Sequence, residues 1–194
     1  PCMFVTVTGG SGSGKSAMAE DISQSLGSGP KIYAATMMVY DEESRRRIER
    51  HRKQRAGRQF TTLECPSGLE EVVFEEKVPL ILLECVSNLT ANELYSGEDF
   101  SMQDPEETAE RIIRGIEHFA DSADHLVVVT NEMFQNGTKD EEMKQYLSVA
   151  GRVNRYLMEK SDVFIEAVYG LPYFWKGSGY LHMEKGTWVW DKTD

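Results

Sequence analysis

The chain has 194 residues, with 32 acidic and 21 basic side chains and a formal net charge of -11. A hydrophobic share of 40% excludes a disordered chain, and this length fits a single domain that buries one core. No nucleic-acid partner is expected, because wrapping a duplex requires cations that neutralise its phosphates.

Short segments with strand character alternate with helical segments along the chain. This alternation predicts an α/β fold with a mostly parallel central sheet, rather than separate α and β parts. The nearly apolar run VPLILLEC fits a central strand of such a sheet. The predicted strands are residues 3–8, 31–36, 60–65, 78–85, 125–131 and 163–170, and the predicted helices are residues 15–26, 41–55, 69–76, 88–95, 106–121 and 140–160.

The first predicted strand is followed by GGSGSGKS, which matches the phosphate-binding pattern G-x-x-x-x-G-K-[ST]. Glycines let the backbone fold around a phosphate with its N–H groups pointing inward, and the next helix directs its positive dipole end there. Lys15 then reaches the β- and γ-phosphates, and Ser16 supplies a hydroxyl to Mg²⁺. The predicted phosphate loop consists of Gly9, Gly10, Ser11, Gly12, Ser13, Gly14, Lys15 and Ser16.

This motif in its strand–loop–helix context predicts a three-layer, P-loop NTPase-like fold. Neither an internal repeat nor a convincing linker is visible, so residues 1–194 are expected to form one nucleotide-binding domain. The tail, about residues 177–194, is expected to add a small hairpin or an arm that packs on a neighbour.

Glu84 ends the apolar strand predicted at residues 78–85. A carboxylate at the C-terminal edge of a buried strand beside a phosphate loop is well placed to organise a metal ion. Aspartate is the commoner residue there, and a carboxylate that merely caps the next helix is the structural alternative. Ser16 and Glu84 are therefore the predicted metal ligands.

Residues 41–58 contain eight basic and four acidic side chains, a net charge of +4 in an otherwise acidic chain. The helix predicted there has one large apolar residue, Ile48, so it is not an ordinary core-packing helix. Arg47, His51 and Arg55 are spaced by four and share a face. A neutral imidazole can attack phosphorus, and nearby arginines lower its pKa and neutralise phosphates. On composition alone, a solvated surface histidine is the commoner interpretation.

Further motifs follow the phosphate loop in a fixed order: KIYAAT, RIERHRKQR, TTLEC, LLECVSN, VVVTNE and AGRVNRYL. This ordered set resembles the bifunctional adenosylcobinamide kinase / adenosylcobinamide-phosphate guanylyltransferase family of cobalamin biosynthesis. The resemblance extends from about residue 4 to residue 172. The pattern R-I-x-x-H-[RK], followed by T-x-E-C and L-L-E-C, is far more specific than the phosphate loop.

The resemblance implies a P-loop fold assembled as a homotrimer, with two activities. The family phosphorylates the aminopropanol hydroxyl of adenosylcobinamide with a nucleoside triphosphate, and the sequence leaves ATP or GTP open. It then transfers GMP from GTP to adenosylcobinamide phosphate through a guanylylated histidine, which falls on His51; Lys15 is the second predicted catalytic residue. Beyond the phosphate loop, the implied nucleotide contacts are Thr36, Met37, Met38, Arg52, Lys53, Gln54, Arg55, Glu64 and Glu84.

A carboxylate suits the N1–H and N2–H₂ edge of guanine, and the residues leave open whether Glu64 or Glu84 fills this role. The chain departs from the family after VVVTNE, where a glycine-rich V-G-x-G-I-V-P stretch is replaced by MFQNGTKD, with Phe134 at a usual glycine. That departure bears on the choice of acceptor. Asn131 and Glu132 fit ligand-facing groups and capping groups equally well.

The remaining candidates are interpreted mainly as structural. The three other histidines are scattered and form no metal constellation, and two of the cysteines are expected to be small buried residues. An aromatic cluster near the end of the chain fits core or interface, with cover for a flat corrin ring as the alternative. These residues are His118, His125, His182, Cys65, Cys85, Tyr169, Tyr173, Phe174 and Trp175.

Two rival functions are a P-loop kinase for a small metabolite or nucleoside without guanylyl transfer, and a nucleotide-dependent regulatory or binding protein, of which a GTP switch is the familiar kind. The second lacks the N-K-x-D pattern expected for guanine recognition, since NGTKD does not fit it. Three cysteines, a start without signal-peptide character and no bilayer-length apolar run predict a cytoplasmic protein without a membrane anchor.

Overall fold

The computed structural model describes residues 2–131 and 140–192. Nine strands are present in these residues. In chain order they are β1 (Met3–Thr8), β2 (Lys31–Ala35), β3 (Phe60–Glu64), β4 (Val78–Glu84), β5 (Ala123–Val129), β6 (Val163–Val168), β7 (Leu171–Lys176), β8 (Leu181–Glu184) and β9 (Thr187–Trp190).

Five α-helices connect the strands, and single 3-10 turns lie at Leu69–Glu71 and Glu98–Phe100. Asp and Asn side chains are strong helix N-caps, and aspartates fill this position at three of the helices, Asp41, Asp104 and Asp140. The helices are α1 (Lys15–Leu26), α2 (Glu42–Arg55), α3 (Val86–Leu94), α4 (Pro105–Ser122) and α5 (Glu141–Lys160).

Seven strands form one sheet in the order β3-β2-β4-β5-β1-β6-β7. The first six are parallel to their neighbours, and β7 runs antiparallel to β6. The predicted mostly parallel sheet is therefore confirmed. Its β1–β5 and β4–β5 pairs are nearly continuous apolar runs, as strands covered on both faces must be.

Alternating side chains of the sheet pack into two core layers. Ile81 and Leu83 of β4 face α3, α4 and α5, whereas Leu80 and Leu82 face α1 and the β8–β9 hairpin. The hairpin contributes Leu181 and Trp188 to the second layer. Of the two arrangements predicted for the C-terminal segment, a small hairpin or an arm, the structure has the hairpin.

Two segments differ from their predictions. Residues 69–76 were expected to be helical, but only the 3-10 turn at Leu69–Glu71 forms; after it Val72 and Phe74 pack on the core while Val73 is exposed, an alternation that belongs to extended chain. Strand β7 was not predicted. It is joined to β6 by a turn in which Tyr169 and Gly170 both have positive φ, the geometry of a tight hairpin.

Parallel strands place all their C-terminal ends at one edge of the sheet, and this edge carries the candidate site. The phosphate loop joins β1 to α1, the basic helix α2 lies between β2 and β3, and Glu84 is the last residue of β4.

Candidate active site

The phosphate loop has the backbone that its glycines were expected to allow. Gly14 precedes α1 with φ of 87°, a left-handed conformation that costs a glycine little. A side chain at this position would also meet the backbone of Gly170. The Gly170 N–H donates to the Ser13 carbonyl at 2.8 Å, which ties the loop to the β6–β7 turn. The Lys15 ammonium donates to the Gly10 carbonyl at 3.2 Å and so lies folded over the loop.

Glu84 meets the phosphate loop directly. The Ser16 hydroxyl donates to Glu84 Oε1 at 2.5 Å, although 68 residues separate the two in sequence. The next helix, α3, has no side-chain cap at Cys85. Glu84 therefore accepts a hydrogen bond from the phosphate loop and does not cap α3.

The Ser16–Glu84 pair fits a hard divalent cation. Both side chains supply oxygen donors, and Glu84 Oε2 is buried without a hydrogen-bond partner. Within residues 2–131 and 140–192 no cluster of three or more His, Cys, Asp or Glu side chains is able to hold a metal. A site with one carboxylate and one hydroxyl suits Mg²⁺, which keeps several waters and takes its other ligands from nucleotide phosphates.

A cleft opens between α2 and the ends of β2, β3 and β4. Its cavity volume of about 60 Å³ is far below the roughly 300–1,000 Å³ of pockets that bury small ligands, so a nucleotide base enters only if the lining side chains move apart. The cleft is lined by Tyr33, Ala35, Met37, Ile48, His51, Arg52, Arg55, Thr62, Glu64, Glu84, Cys85 and Asn88.

His51 is half-buried in this cleft, on the side formed by α2. Its Nδ1 is buried and has no hydrogen-bond partner. Glu84 lines the same cleft and also binds Ser16, so one carboxylate joins the histidine cleft to the phosphate loop. The structure therefore places His51 and Glu84 in one cleft and joins that cleft to the phosphate loop through Ser16, whereas Lys15 does not line the cleft.

Arg55 occupies the inner end of the cleft. Its guanidinium lies 3.4 Å from the centre of the Tyr33 ring, and only 6% of the residue is exposed. Burial, reinforced by the nearby Glu84 carboxylate, raises the pKa of Tyr33 well above its usual range. Arg47 lies on the same face of the continuous helix α2, as expected, but it is exposed and pairs with Glu43 at 3.8 Å.

Glu64 and Arg52 lie at the outer end of the cleft. Arg52 Nη2 lies 3.1 Å from Glu64 Oε1, and both side chains are largely exposed. Such an exposed pair contributes little to stability and is easily exchanged for a ligand. Glu64 is therefore available to an incoming base, whereas Glu84 is engaged by Ser16.

The other predicted nucleotide contacts are spread around the cleft. Met37 lines it, while Met38 is 40% exposed and lies outside its lining. Lys53 and Gln54 are exposed on α2 and do not line it either. The role of these residues toward a nucleotide stays a prediction.

Thr36 is fully buried behind the cleft. Its hydroxyl accepts a hydrogen bond from the Cys85 N–H and its own N–H donates to the Glu84 carbonyl, at 2.8 and 3.0 Å. The peptide bond between Glu84 and Cys85 is cis. Thr36 thus holds the end of β4 in place, and its predicted contact with a nucleotide stays a prediction.

Buried polar atoms without hydrogen-bond partners are concentrated at this site. Buried polar groups are normally paired, so such a concentration indicates a place where a ligand or water completes the hydrogen bonds. Among the described residues, all but one of these atoms lie in the phosphate loop, the cleft or the adjoining face of α1. They are Ser13 Oγ, both carboxylate oxygens of Glu20, His51 Nδ1, Arg55 Nη1 and Glu84 Oε2, with His125 Nδ1 as the exception.

Sequence reasoning missed several residues of the site, notably Tyr33, Asn88 and Glu20. Tyr33 and Asn88 line the cleft from β2 and α3, and no motif marks them. Glu20 is fully buried on α1, one turn after Ser16. A carboxylate four residues after the phosphate-loop serine, on the inward face of an apolar helix, was the available indication.

The histidines interpreted as structural have structural contacts. His118 Nε2 lies 2.6 Å from the Val72 carbonyl, His125 packs edge-on against Trp190, and exposed His182 pairs with Glu184. Burial lowers the pKa of His125.

Cys65 and Cys85 are buried, as expected. Burial raises the pKa of the Cys65 thiol to about 11, and it also raises that of Cys85. Because the thiolate is the nucleophile, neither cysteine is suited to covalent chemistry at neutral pH.

The C-terminal aromatic cluster is divided between core and surface. Phe174 packs on the core beside Trp188, whereas Tyr169, Tyr173 and Trp175 are more than half exposed. Of the pair at the end of β5, Asn131 is half-buried, while Glu132 and most of the departing loop, including Phe134, lie outside the described residues.

Comparison with known proteins agrees with the resemblance noted above. The family model described as cobinamide kinase / cobinamide phosphate guanyltransferase matches residues 5–174. The chain is 32% identical over 169 residues to the bifunctional adenosylcobalamin biosynthesis protein CobU of Escherichia coli (strain K12), a match that covers 80% of this chain and 90% of that protein.

A likeness to a solved structure supports the fold alone. An ATPase from the type III secretion system of pathogenic bacteria superimposes with a TM-score of 0.55 at 12% identity, covering 92% of this chain and 57% of that one. The chain thus spans little more than half of that ATPase, and the shared part is a P-loop ATPase fold, as predicted. In the described ranges, no helix is both long and apolar enough to cross a membrane.

Proposed function

The chain belongs to the cobinamide kinase / cobinamide phosphate guanyltransferase family of enzymes, and from this premise we propose that it carries out both family reactions at one phosphate loop. In the first, it phosphorylates adenosylcobinamide with a nucleoside triphosphate, ATP or GTP. In the second, it transfers GMP from GTP to the resulting phosphate through His51. The proposal includes a cytoplasmic homotrimer, as the resemblance and the sequence imply.

One observation carries the proposal of two activities. Glu84 binds Ser16 of the phosphate loop and also lines the cleft that contains His51. A triphosphate that spans the loop and the cleft therefore presents its terminal phosphates to Lys15 and its α-phosphate to the histidine. Lys15 and Ser16 position and neutralise the phosphates, which is most of what phosphoryl transfer requires of a protein.

In the guanylyl step, a ring nitrogen of His51 attacks the α-phosphorus of GTP. A P–N bond forms, the bond between the α-phosphorus and the bridging oxygen breaks, and pyrophosphate leaves. An oxygen of adenosylcobinamide phosphate then attacks the same phosphorus, the P–N bond breaks, and His51 is released. His51 Nδ1 is buried and has no hydrogen-bond partner among the described residues, so the imidazole is free to turn about its side-chain bonds without breaking a hydrogen bond at that nitrogen.

In the kinase step, the acceptor hydroxyl oxygen attacks the γ-phosphorus, the bond to the β-phosphate oxygen breaks, the nucleoside diphosphate leaves, and the hydroxyl proton is released to solvent. Ser16 and Glu84 would hold Mg²⁺, and the bound ion would neutralise charge on the phosphates. Lys15 now lies on the Gly10 carbonyl, and no carboxylate of residues 2–131 or 140–192 has to be displaced before it reaches a phosphate.

We assign guanine recognition to Glu64 rather than Glu84. Glu64 lies at the outer end of the cleft with only an exposed arginine as partner, whereas Glu84 serves the phosphate loop. A carboxylate accepts the N1–H and N2–H₂ donors of guanine and repels the N1 lone pair of adenine. This gives the transferase step its preference for GTP.

The test is mass spectrometry of the protein after incubation with GTP and Mg²⁺. We expect a GMP adduct on a peptide that contains His51. A P-loop kinase without guanylyl transfer would phosphorylate an acceptor and give no adduct, so an unlabelled but kinase-competent protein would overturn the proposed transferase activity.

A further inference from the structure

The helix that carries His51 is anchored to the domain mainly at its C-terminal end, and Ile48 and His51 before that end are only half-buried along the cleft. Of the α2 residues only Arg55 is buried. Toward its beginning, Arg45 and Arg47 pair with Glu42 and Glu43 of the same helix. Core packing therefore does little to fix the position of α2, and the contacts at its end must do so.

Those end contacts come from β2, from α1 and, through the exposed Arg52–Glu64 pair, from β3. Arg55 stacks on the Tyr33 ring of β2 at 3.4 Å. Arg58, three residues later, places Nη1 3.1 Å from Asp21 Oδ1 and 3.6 Å from Glu20 Oε2. The Arg58 carbonyl also accepts a hydrogen bond from Gln24 Nε2 at 3.0 Å. The end of α2 thus rests on the helix that follows the phosphate loop.

Glu20 is the buried member of this contact. It is completely inaccessible, and neither carboxylate oxygen has a hydrogen-bond partner. Burial and the Glu84 carboxylate raise its pKa to about 7, whereas Arg58 and Arg55 act in the opposite direction. A buried carboxylate without hydrogen bonds is costly, and these two arginines are the cations that offset its charge.

We propose that Glu20 is a positioning residue for guanylyl transfer: through Arg58, whose N–H donates to the Arg55 carbonyl, it holds the end of α2 against the phosphate-loop helix and so sets the place of His51. His51 lies one helical turn before Arg55 on the same face, so a displacement at Arg55 is transmitted to the imidazole. Glu20 touches neither nucleotide nor acceptor in this role. The inference rests on the proposed function, in which His51 is the nucleophile.

The test compares Glu20→Gln with Asp21→Asn at pH 8, where Glu20 is ionised. Glu20→Gln keeps the shape of the side chain and removes its charge, and Asp21→Asn removes the exposed partner of the same arginine. The rate of GMP attachment to His51 is measured at saturating GTP, together with the Kd for GTP. We expect Glu20→Gln to slow labelling about 10- to 100-fold, the scale of a misplaced reacting group, with an unchanged Kd. We expect Asp21→Asn to change the rate far less.

A second variant, Arg58→Gln, tests the coupling. If Glu20 acts through Arg58, the labelling rate of the double variant, Glu20→Gln with Arg58→Gln, falls by less than the product of the two single-variant reductions. Fully multiplicative losses, or labelling of Glu20→Gln at the wild-type rate, overturn the inference. So does a rise in Kd that accounts for the slower labelling, because Glu20 would then act on binding. An unlabelled wild-type protein instead overturns the proposed function, so the two failures are distinguishable. The thermal midpoint of each variant verifies that it is folded.

Discussion

The Ser16 hydroxyl donates a 2.5 Å hydrogen bond to Glu84 Oε1, joining the first helix of the domain to the end of a central strand. This contact places a carboxylate at the phosphate loop, and the same carboxylate forms one wall of the His51 cleft. In the proposed function, the phosphoryl-transfer step and the guanylyl-transfer step would therefore share the Glu84 carboxylate. Four predictions test this arrangement.

The first prediction concerns His51. His51→Ala removes the imidazole that would attack phosphorus, so we expect guanylyl transfer to be abolished while GTP binding remains measurable. His182→Ala, which changes an exposed histidine far from the cleft, is the matched control. Adduct formation is followed by mass spectrometry and binding by calorimetry. Guanylyl transfer retained in His51→Ala would mean that another residue is the nucleophile.

The second prediction concerns Lys15. Lys15→Ala removes the cation that reaches the β- and γ-phosphates, so both activities should fall by about 10² to 10³ in kcat, the usual effect of losing one stabilising donor. Lys77→Ala, an exposed lysine distant from the loop, serves as control. Full kinase activity in Lys15→Ala would remove the phosphate loop from the mechanism.

The third prediction separates the two glutamates. We expect Glu64→Gln to raise the KM for GTP in the transferase step by about 10- to 100-fold, since hydrogen bonds to a charged group contribute about 1.5–3 kcal/mol. The effect should be smaller with inosine triphosphate, which lacks the N2 amino group. Glu75→Gln, on an exposed loop, is the control. If Glu84→Gln instead changes the preference between guanine and inosine, the assignment of base recognition is reversed.

The fourth prediction concerns stability and pH. Burial and Glu84 raise the pKa of Glu20 from 4.5 to about 7 in the folded protein. Between these values the folded state keeps a proton that the unfolded chain has lost. The contribution of Glu20 to stability is therefore complete below about pH 4.5 and is lost as the pH rises to about 7, a change of about 3 kcal/mol.

Glu20→Gln has no such titration. The difference in unfolding free energy between the variant and the wild type should therefore move in favour of the variant by about 2.5 kcal/mol from pH 5 to pH 8. Urea unfolding at several pH values measures it. Parallel pH profiles for the two proteins would contradict the raised pKa.

Much of the fold is visible in the sequence because parallel sheets leave a strong pattern. Strands β1, β4, β5 and β6 are apolar runs separated by helices, and this pattern has few other interpretations. Strand β7, with the sequence LPYFWK, was missed because it contains a proline and lies at the sheet edge, where its aromatic side chains alternate between core and solvent. The tyrosine–glycine pair before it was the available turn signal.

The candidate site was predictable where a motif marks it and not where packing alone creates it. The phosphate loop, His51 and Glu84 belong to motifs, and the structure brings them together. The stacking of Arg55 on Tyr33 and the burial of Glu20 depend on how α1, α2 and β2 meet, which no local pattern records. Arg55 was expected to meet phosphates, and its burial among protein groups became visible only in three dimensions.

The presence of a single buried residue in α2 has a consequence for how this protein tolerates substitutions. A helix that places a single side chain in the interior adds little to the global unfolding free energy, so substitutions along it seldom threaten the fold. The chemistry of the histidine helix and the integrity of the scaffold are thus nearly separate properties. Substitutions in α2 should therefore change the rate of guanylyl transfer or the choice of nucleotide without unfolding the sheet. In hydrogen exchange, the amides of this helix should open independently of the core.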